Sequence, residues 1–202
     1  MGQVAFKCFC QLPSCRDECI LWGYCRCREV LVLVKNGTGR ARSLEGLPEE
    51  TVVIKGEIDG PVPVEMNGAT YFADVLGGQK TGLFFDQRPN HAFAARLAKG
   101  ARVLDMFSHV GGFGLSALAA GAKSALAVDG SAPALELAER GAAAMNVSDR
   151  FETRKGDAFD VLAALAEEGQ TFDVVVCDPP AFAPGKPSLE AGLRAYERVG
   201  RL

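Results

Sequence analysis

Three times in its second half this chain runs an apolar, strand-like segment into an aspartate and then into small or loop-forming residues. The segments are Val103-Leu-Asp-Met-Phe-Ser-His-Val-Gly-Gly-Phe-Gly114, Val128-Asp129 and Val176-Cys-Asp-Pro-Pro180. Around them the pattern predicts strands at 102–106, 124–128, 151–155 and 173–177, with helices at about 111–120, 132–145 and 158–167. Ser131 and Asp157 are good N-caps, and Gly121 and Gly169 sit where helices should stop. Strict strand–helix alternation with β-branched strands means an α/β fold, a doubly wound parallel sheet. Such a sheet binds its ligand at the carboxyl ends of the strands.

The preceding chain reads differently. Leu31–Val34 is a short strand-like run that Asn36-Gly-Thr-Gly39 should end as loop. Thr51–Lys55 is strand-like, and Pro61–Met66 and Thr70–Val75 flank Asn67-Gly68. An Asn-Gly pair between two such runs signals a hairpin, because both central residues of a type I′ turn need positive φ. Gly77-Gly78 reads as a hinge, followed by a helix over 89–98 closed by Gly100. Ser188 opens a last helix with Leu189, Leu193 and Tyr196 on one face. The expected organisation is a Cys-rich segment over 1–43, a β-hairpin unit over 44–78 and a sheet domain over 79–202. Four parallel strands are fewer than such sheets usually have. The run Val174–Cys177 reads as a fully buried strand whose outer edge would be left unpaired, so a fragment, or a chain that needs a partner, is expected.

With 202 residues, 48% of them hydrophobic, the chain can bury one substantial core and a small appendage. No apolar run is long enough for a membrane span, and charges interrupt every candidate leader, so cytoplasmic residence is expected. Residues 1–42 hold seven Lys/Arg against three Asp/Glu (+4), and the remainder fifteen against twenty-two (−7). An acidic body argues against strong autonomous binding to nucleic acid, though not against an RNA held by another domain. Cys8, Cys10, Cys15, Cys19, Cys25 and Cys27 crowd the start. A zinc site would need wider thiolate pairs than Cys8-x-Cys10 and Cys25-x-Cys27, and a disulfide framework needs a secreted chain. A segment that is not a native module is the reading favoured over both.

Gly112-Phe-Gly114-Leu-Ser-Ala117 fits the dinucleotide fingerprint, so a dinucleotide-dependent oxidoreductase must be weighed. Against it, the strand ends in Asp105 and a longer loop. A carboxylate there repels a pyrophosphate but suits an ammonium-bearing ligand such as the methionine moiety of S-adenosylmethionine. Asp129, about twenty residues on, can accept both hydrogen bonds of a ribose diol. Ser131 reads better as a helix cap than as a ligand contact, and Asp157 reads equally as an N-cap and as an acceptor for an adenine amino group. In Asp178-Pro-Pro-Ala-Phe182 two prolines fix an extended loop, holding Asp178 where it can accept from a base's amino group. Phe182 could stack on that base. Cys177 reads as a small buried hydrophobe. His109 reads as a loop-lining residue, and with His91 it lacks a third ligand, so no metal site is expected.

Thr81-Gly-Leu-Phe-Phe-Asp-Gln-Arg88, Leu104-Asp-Met-Phe-Ser-His-Val-Gly-Gly-Phe113, Val128-Asp-Gly-Ser131 and Cys177-Asp-Pro-Pro-Ala-Phe182, taken together, resemble one family. It is that of the class I S-adenosylmethionine-dependent methyltransferases that form 5-methylcytosine in large-subunit (23S) ribosomal RNA. The resemblance runs from about Leu44 to the end. It implies a Rossmann-like methyltransferase sheet preceded by a hairpin unit, an RNA substrate, and S-adenosyl-L-methionine as cofactor. It places Gln87, Arg88, Asp105, Phe107, Ser108, Gly111, Gly112, Phe113, Asp129, Ser131, Asp157 and Asp178 around the cofactor. Asp178, Pro179, Pro180 and Phe182 would face the target base. Family members open with a small RNA-binding domain of the PUA type, which residues 1–43 do not match. They also carry a later Cys motif that supplies the thiolate attacking cytosine C6. This chain stops before that point, so cofactor binding without turnover is expected. An N-methyltransferase acting on a nucleobase or a protein amide is the alternative, since an Asp-Pro-Pro loop alone can serve it.

Overall fold

The computed structural model describes residues 5–9, 32–37, 50–77, 82–183 and 186–201. The chain divides into two compact units, Met1–Val62 with Ala73–Phe85, and Pro63–Phe72 with Asp86–Leu202.

In the first unit β1 (Ala5–Phe9), β2 (Val32–Gly37) and β3 (Glu50–Lys55) form an antiparallel sheet in that order. β2 runs on through Asn36 and Gly37, which pair with Thr51 and Glu50. The sequence reading ended it earlier, because Asn and Gly favour loops when no partner strand is visible to hold them. The readings of the Cys-rich segment rest on side chains outside the described residues. So does Gly78 of the expected hinge. At Gly77 the structure shows an Asp74 turn, in which Asp74 Oδ1 accepts from the amides of Leu76 and Gly77 at 3.1 and 2.8 Å.

The second unit carries the parallel sheet. Its first contribution is the greater part of a hairpin, β4 (Val62–Met66) and β5 (Ala69–Ala73). Asn67 and Gly68 turn it with φ of 52° and 77°, the positive values that a two-residue turn requires. There follow α1 (Arg88–Leu97), β6 (Arg102–Met106), α2 (Gly112–Ala119), β7 (Ser124–Asp129), α3 (Ala132–Ala144), β8 (Phe151–Lys155), α4 (Ala158–Glu167), β9 (Val174–Cys177) and α5 (Leu189–Val199). The sheet order is β8-β7-β6-β9, and every pair in it is parallel.

Period-two alternation divides the strand residues between two helical layers. Leu104, Met106 and Val128 join Ala158, Val161 and Leu165 of α4 in one core cluster. The alternate residues Val103, Asp105, Ala125 and Ala127, all buried, face α2. Small residues let α2 come close: a Cβ on Gly114 would lie 3.3 Å from Phe151, 3.4 Å from Asp105 and 3.5 Å from Ala125. The hairpin leans on α3, where a Cβ on Gly141 would meet Thr70 O at 2.7 Å and Arg140 lies 4.4 Å over the Phe72 ring.

β9 corrects one expectation. It does not lie fully buried: Val175 is 56% exposed and its neighbours are half-buried. Among the described residues β9 pairs with β6 alone, so its outer edge is an open, apolar one. Leu189, Leu193 and Tyr196 do share one face of α5, and that face is exposed. Among the described residues no helix is long and apolar enough to cross a membrane.

Candidate functional site

The strand order reverses at β6, with β7 on one side and β9 on the other, and in such sheets the ligand site lies outside the carboxyl ends of the strands at that point. Asp105 lies near the end of β6 and Asp178 just past β9. Asp129 ends β7 and Asp157 follows β8, so all four predicted aspartates come to one edge.

The loop after β6 is strained in a regular way. Phe107 (φ 59°), His109 (φ 50°) and Gly111 (φ 76°) adopt left-handed backbone, two of them without glycine's freedom. Hydrogen bonds hold it. The Ser108 amide donates to Val128 O at 3.0 Å, and Ser108 O accepts from Gly111 and Gly112 at 2.8 and 3.2 Å. Asp129 clamps the loop from the next strand: its Oδ2 accepts from the His109 amide and its Oδ1 from the Ser131 amide, both at 2.8 Å. A carboxylate has about four lone-pair sites, so each oxygen keeps acceptor capacity. Ser131 caps α3, its Oγ accepting from Ala134 N at 3.4 Å. Asp157 caps α4, its Oδ1 accepting from Phe159 N and Asp160 N at 2.9 and 3.4 Å.

Asp105 is fully buried, and its Oδ2 accepts from the amides of Phe113 and Gly114 at 3.1 and 2.8 Å. Its Oδ1 has no partner among the described residues. Burial pushes its carboxyl up to about 7, and the charges of Asp129 and Asp178 push the same way against the two amide bonds. The opening turn of α2 therefore has its amides committed. Gly111 and Gly112 donate to Ser108 O, Phe113 and Gly114 to Asp105, and Leu115 to Gly111 O. A dinucleotide pyrophosphate needs those donors free. The G-x-G-x-x-A match is thus a helix start built around a carboxylate.

Past β9, Gln87 Nε2 donates to Asp178 Oδ2 at 2.9 Å, joining two predicted residues ninety-one positions apart. Asn90 Nδ2 donates to Gln87 Oε1 at 2.6 Å, so the amide of Gln87 has to turn its NH₂ toward Asp178. Arg88 begins α1, and its carbonyl accepts from Asn67 Nδ2 at 2.9 Å. Pro179 and Pro180 extend the loop to Phe182, whose ring lies 4.9 Å from Tyr196 and 6.1 Å from both Phe107 and Phe159. Phe182 is half-buried in that aromatic group, and its amide donates to Tyr196 Oη at 3.3 Å. Burial and the neighbouring Asp178 raise the thiol pKa of Cys177, which disfavours its thiolate. His109 is held below its ordinary range by burial.

Sequence reasoning passed over Asn90 and Tyr71, and weighed His91 only as a metal ligand. Asn90 carried a readable signal, a polar residue three positions from Gln87 on a helix. Tyr196 was read only as part of an apolar face. Tyr71 and His91 owe their places to contacts far along the chain.

A family model described as "Conserved hypothetical protein 95" matches residues 86–194. The chain is 44% identical over 165 residues to the "Ribosomal RNA large subunit methyltransferase I" of Tolumonas auensis, covering 80% of this chain and 41% of that protein. It is 41% identical over 164 residues to the protein of that name from Shewanella frigidimarina, with the same two coverages. It thus spans about two fifths of the length of these relatives. Among solved structures, a SAM-dependent methyltransferase from Streptococcus mutans is similar with TM-score 0.59 and 25% identity, over 65% of this chain and 36% of that one. A methyltransferase complexed with SAH is similar with TM-score 0.60 and 26% identity, over 67% and 36%.

Proposed function

The chain belongs to the Conserved hypothetical protein 95 family, and from that premise we propose that it serves S-adenosylmethionine-dependent methylation of RNA. Its second unit has the Rossmann-like class I methyltransferase fold. The observation that carries the reading is the arrangement at the sheet's carboxyl edge: Asp105 is buried with a bare Oδ1 and lies within the field of Asp129 and Asp178. Three acidic side chains at one sheet edge, beside a helix start whose amides are committed, fit a cationic ligand and repel a diphosphate. The ammonium and sulfonium of S-adenosylmethionine supply that positive charge, and the cofactor when bound supplies the methyl group.

In this reading Asp105, with Phe107, Ser108, Gly111, Gly112 and Phe113, surrounds the methionine end. Asp129 takes the ribose through its spare acceptor sites, with Ser131 holding that loop. Asp157 faces the adenine amino group while capping α4. Gln87 and Arg88 border the cofactor, and Gln87 holds Asp178 toward the base. The target base enters beside Asp178, Pro179 and Pro180. Phe182, already enclosed by Phe107, Phe159 and Tyr196, offers the base an edge of an aromatic group.

The names of the relatives support large-subunit ribosomal RNA as the substrate, and cytosine C5 as the target atom rests on the motif resemblance given above. Carbon methylation needs a thiolate added at C6, and Cys177, on a strand with a raised pKa, does not suit that role. Cys177 is therefore expected not to support cytosine methylation.

Calorimetric titration with S-adenosylhomocysteine against NAD tests the reading. Binding of the first and not the second is expected, and the reverse would overturn it. A transfer assay on ribosomal RNA fragments should show no 5-methylcytosine, whereas measurable product would give Cys177 the nucleophile's role. Product on an exocyclic nitrogen would favour the N-methyltransferase.

A further inference from the structure

His91 lies on the buried stripe of α1 with Ala95 and is only 6% exposed. Its Nδ1 has no hydrogen-bond partner among the described residues. A buried nitrogen without a partner is unfavourable, so the ring is held there by its packing. It meets Phe113 edge-on, with centroids 4.5 Å apart and planes at 76°, and the Tyr71 ring lies 6.3 Å away. A Cβ added to Gly112 would fall 2.7 Å from Nε2 and 2.8 Å from Cε1. The imidazole is thus seated directly on the Gly112 backbone. Around it Tyr71 Oη donates to Gly112 O at 3.1 Å, and Ser116 Oγ donates to His91 O at 3.4 Å. All these contacts bear on one short piece of chain, the first turns of α2. Phe113 and Gly114 of that turn are the residues whose amides hold Asp105.

We propose that His91 is a positioning residue of the cofactor site, its uncharged imidazole wedging the first turn of α2 into the place from which that turn grips Asp105. The inference rests on reading this edge as the S-adenosylmethionine site. It gives a physical reason for a glycine at 112 beyond the phosphate fingerprint, because any side chain there would occupy the imidazole's seat. The ionisable groups around His91 are Tyr71 of β5, Asp86 just before α1, and Asp105 of β6, reached through Phe113. Burial lowers its pKa to about 4, with Asp86 opposing. Neutrality of the ring is therefore a contribution to the folded state that is full above the ordinary histidine range and lost as pH falls toward about 4.

The test uses the whole chain and four variants: His91→Gln, His91→Ala, Gly112→Ala and the double variant His91→Ala/Gly112→Ala. S-adenosylhomocysteine affinity is measured by calorimetry, and amide exchange at Phe113 and Gly114 without ligand. His91→Ala should weaken binding by about tenfold and speed exchange at both amides, with His91→Gln restoring most of each. Gly112→Ala should weaken binding by about tenfold in the parent but by less than about threefold beside His91→Ala, where the added methyl has room. Between about pH 6.5 and pH 4 the parent should lose more folding stability than His91→Gln does, because only the parent has a buried ring to protonate. Strictly additive effects, unchanged exchange in His91→Ala, or matching pH profiles would each overturn the assignment. If the parent binds no S-adenosylhomocysteine while exchange responds as expected, the cofactor reading fails and His91 is a fold brace only.

Discussion

Asp105 carries a carboxyl group buried where its charge is unfavourable, and its titration is the measurable consequence. Its folded pKa, about 7, lies above the ordinary value of 3.8. The folded state therefore binds this proton more tightly than the unfolded chain. The stability it contributes is full below about pH 4 and is lost as pH rises to about 7, a change on the order of a few kcal/mol. Asp105→Asn should remove that slope, so urea midpoints of parent and variant should diverge between about pH 5 and pH 7.5, the variant gaining. A constant difference across that range would show that Asp105 is already ionised in the folded unit. Asp157 separates two roles by the same approach. Asp157→Ser keeps a cap and should hold stability within about half a kcal/mol, whereas Asp157→Ala should lose about 1 kcal/mol. If both variants also weaken S-adenosylhomocysteine binding, the carboxylate reaches the base as well as capping α4. If only Asp157→Ala does, the residue is a cap.

At the scale of elements, glycines mark where packing and backbone both set the residue. Gly111 has φ of 76°, and a Cβ there would lie 3.1 Å from Ala138, 3.2 Å from Phe151 and 3.3 Å from Leu115. Gly169, with φ of 66°, has nothing within 4 Å. Gly169→Ala should cost about 1 kcal/mol from backbone strain alone, and Gly111→Ala about 2 kcal/mol or more, since the methyl also meets a packed core. Chemical denaturation of the two variants compares them, and equal losses would mean that the core around Gly111 gives way. The helices and strands of the parallel sheet were legible because their periods, caps and stop glycines agree. Strands 102–106 and 151–155 and helix 158–167 stand where the pattern put them. β2 was misread at its limit and β9 in its burial, because pairing and burial of a strand depend on neighbours that its own sequence does not contain.

For the molecule as a whole the open outer edge of β9 is the feature with consequences in solution. Val175, Leu189 and Leu193 are each more than half exposed, on an edge strand and on the helix that follows it. An exposed apolar strand edge is a template for pairing with another chain. Val175→Lys should lower self-association in sedimentation velocity, with little change in melting temperature, since the side chain already faces solvent. Unchanged association would show that the edge is not the contact. The charge imbalance between the first 42 residues and the remainder, +4 against −7, is also a property of the whole chain.

The succession of strands and helices along the chain, the four aspartates near the strand ends and the loop after β9 were set by the sequence itself, because period and spacing are local properties. Local chemistry could not decide which acid is buried with a bare oxygen, which amides are already spent, or which distant side chains brace the loop. Asp105 and Asp129 end strands in the same way, yet one is sealed under the α2 turn while the other ties two loops together and keeps acceptor sites to spare. Gln87 meets Asp178 across ninety-one positions because the strand order sets β9 beside β6, and His91 meets Gly112 because α1 packs against α2. A residue's burial and partners are fixed by what the rest of the chain packs around it, and that is where the sequence alone stops.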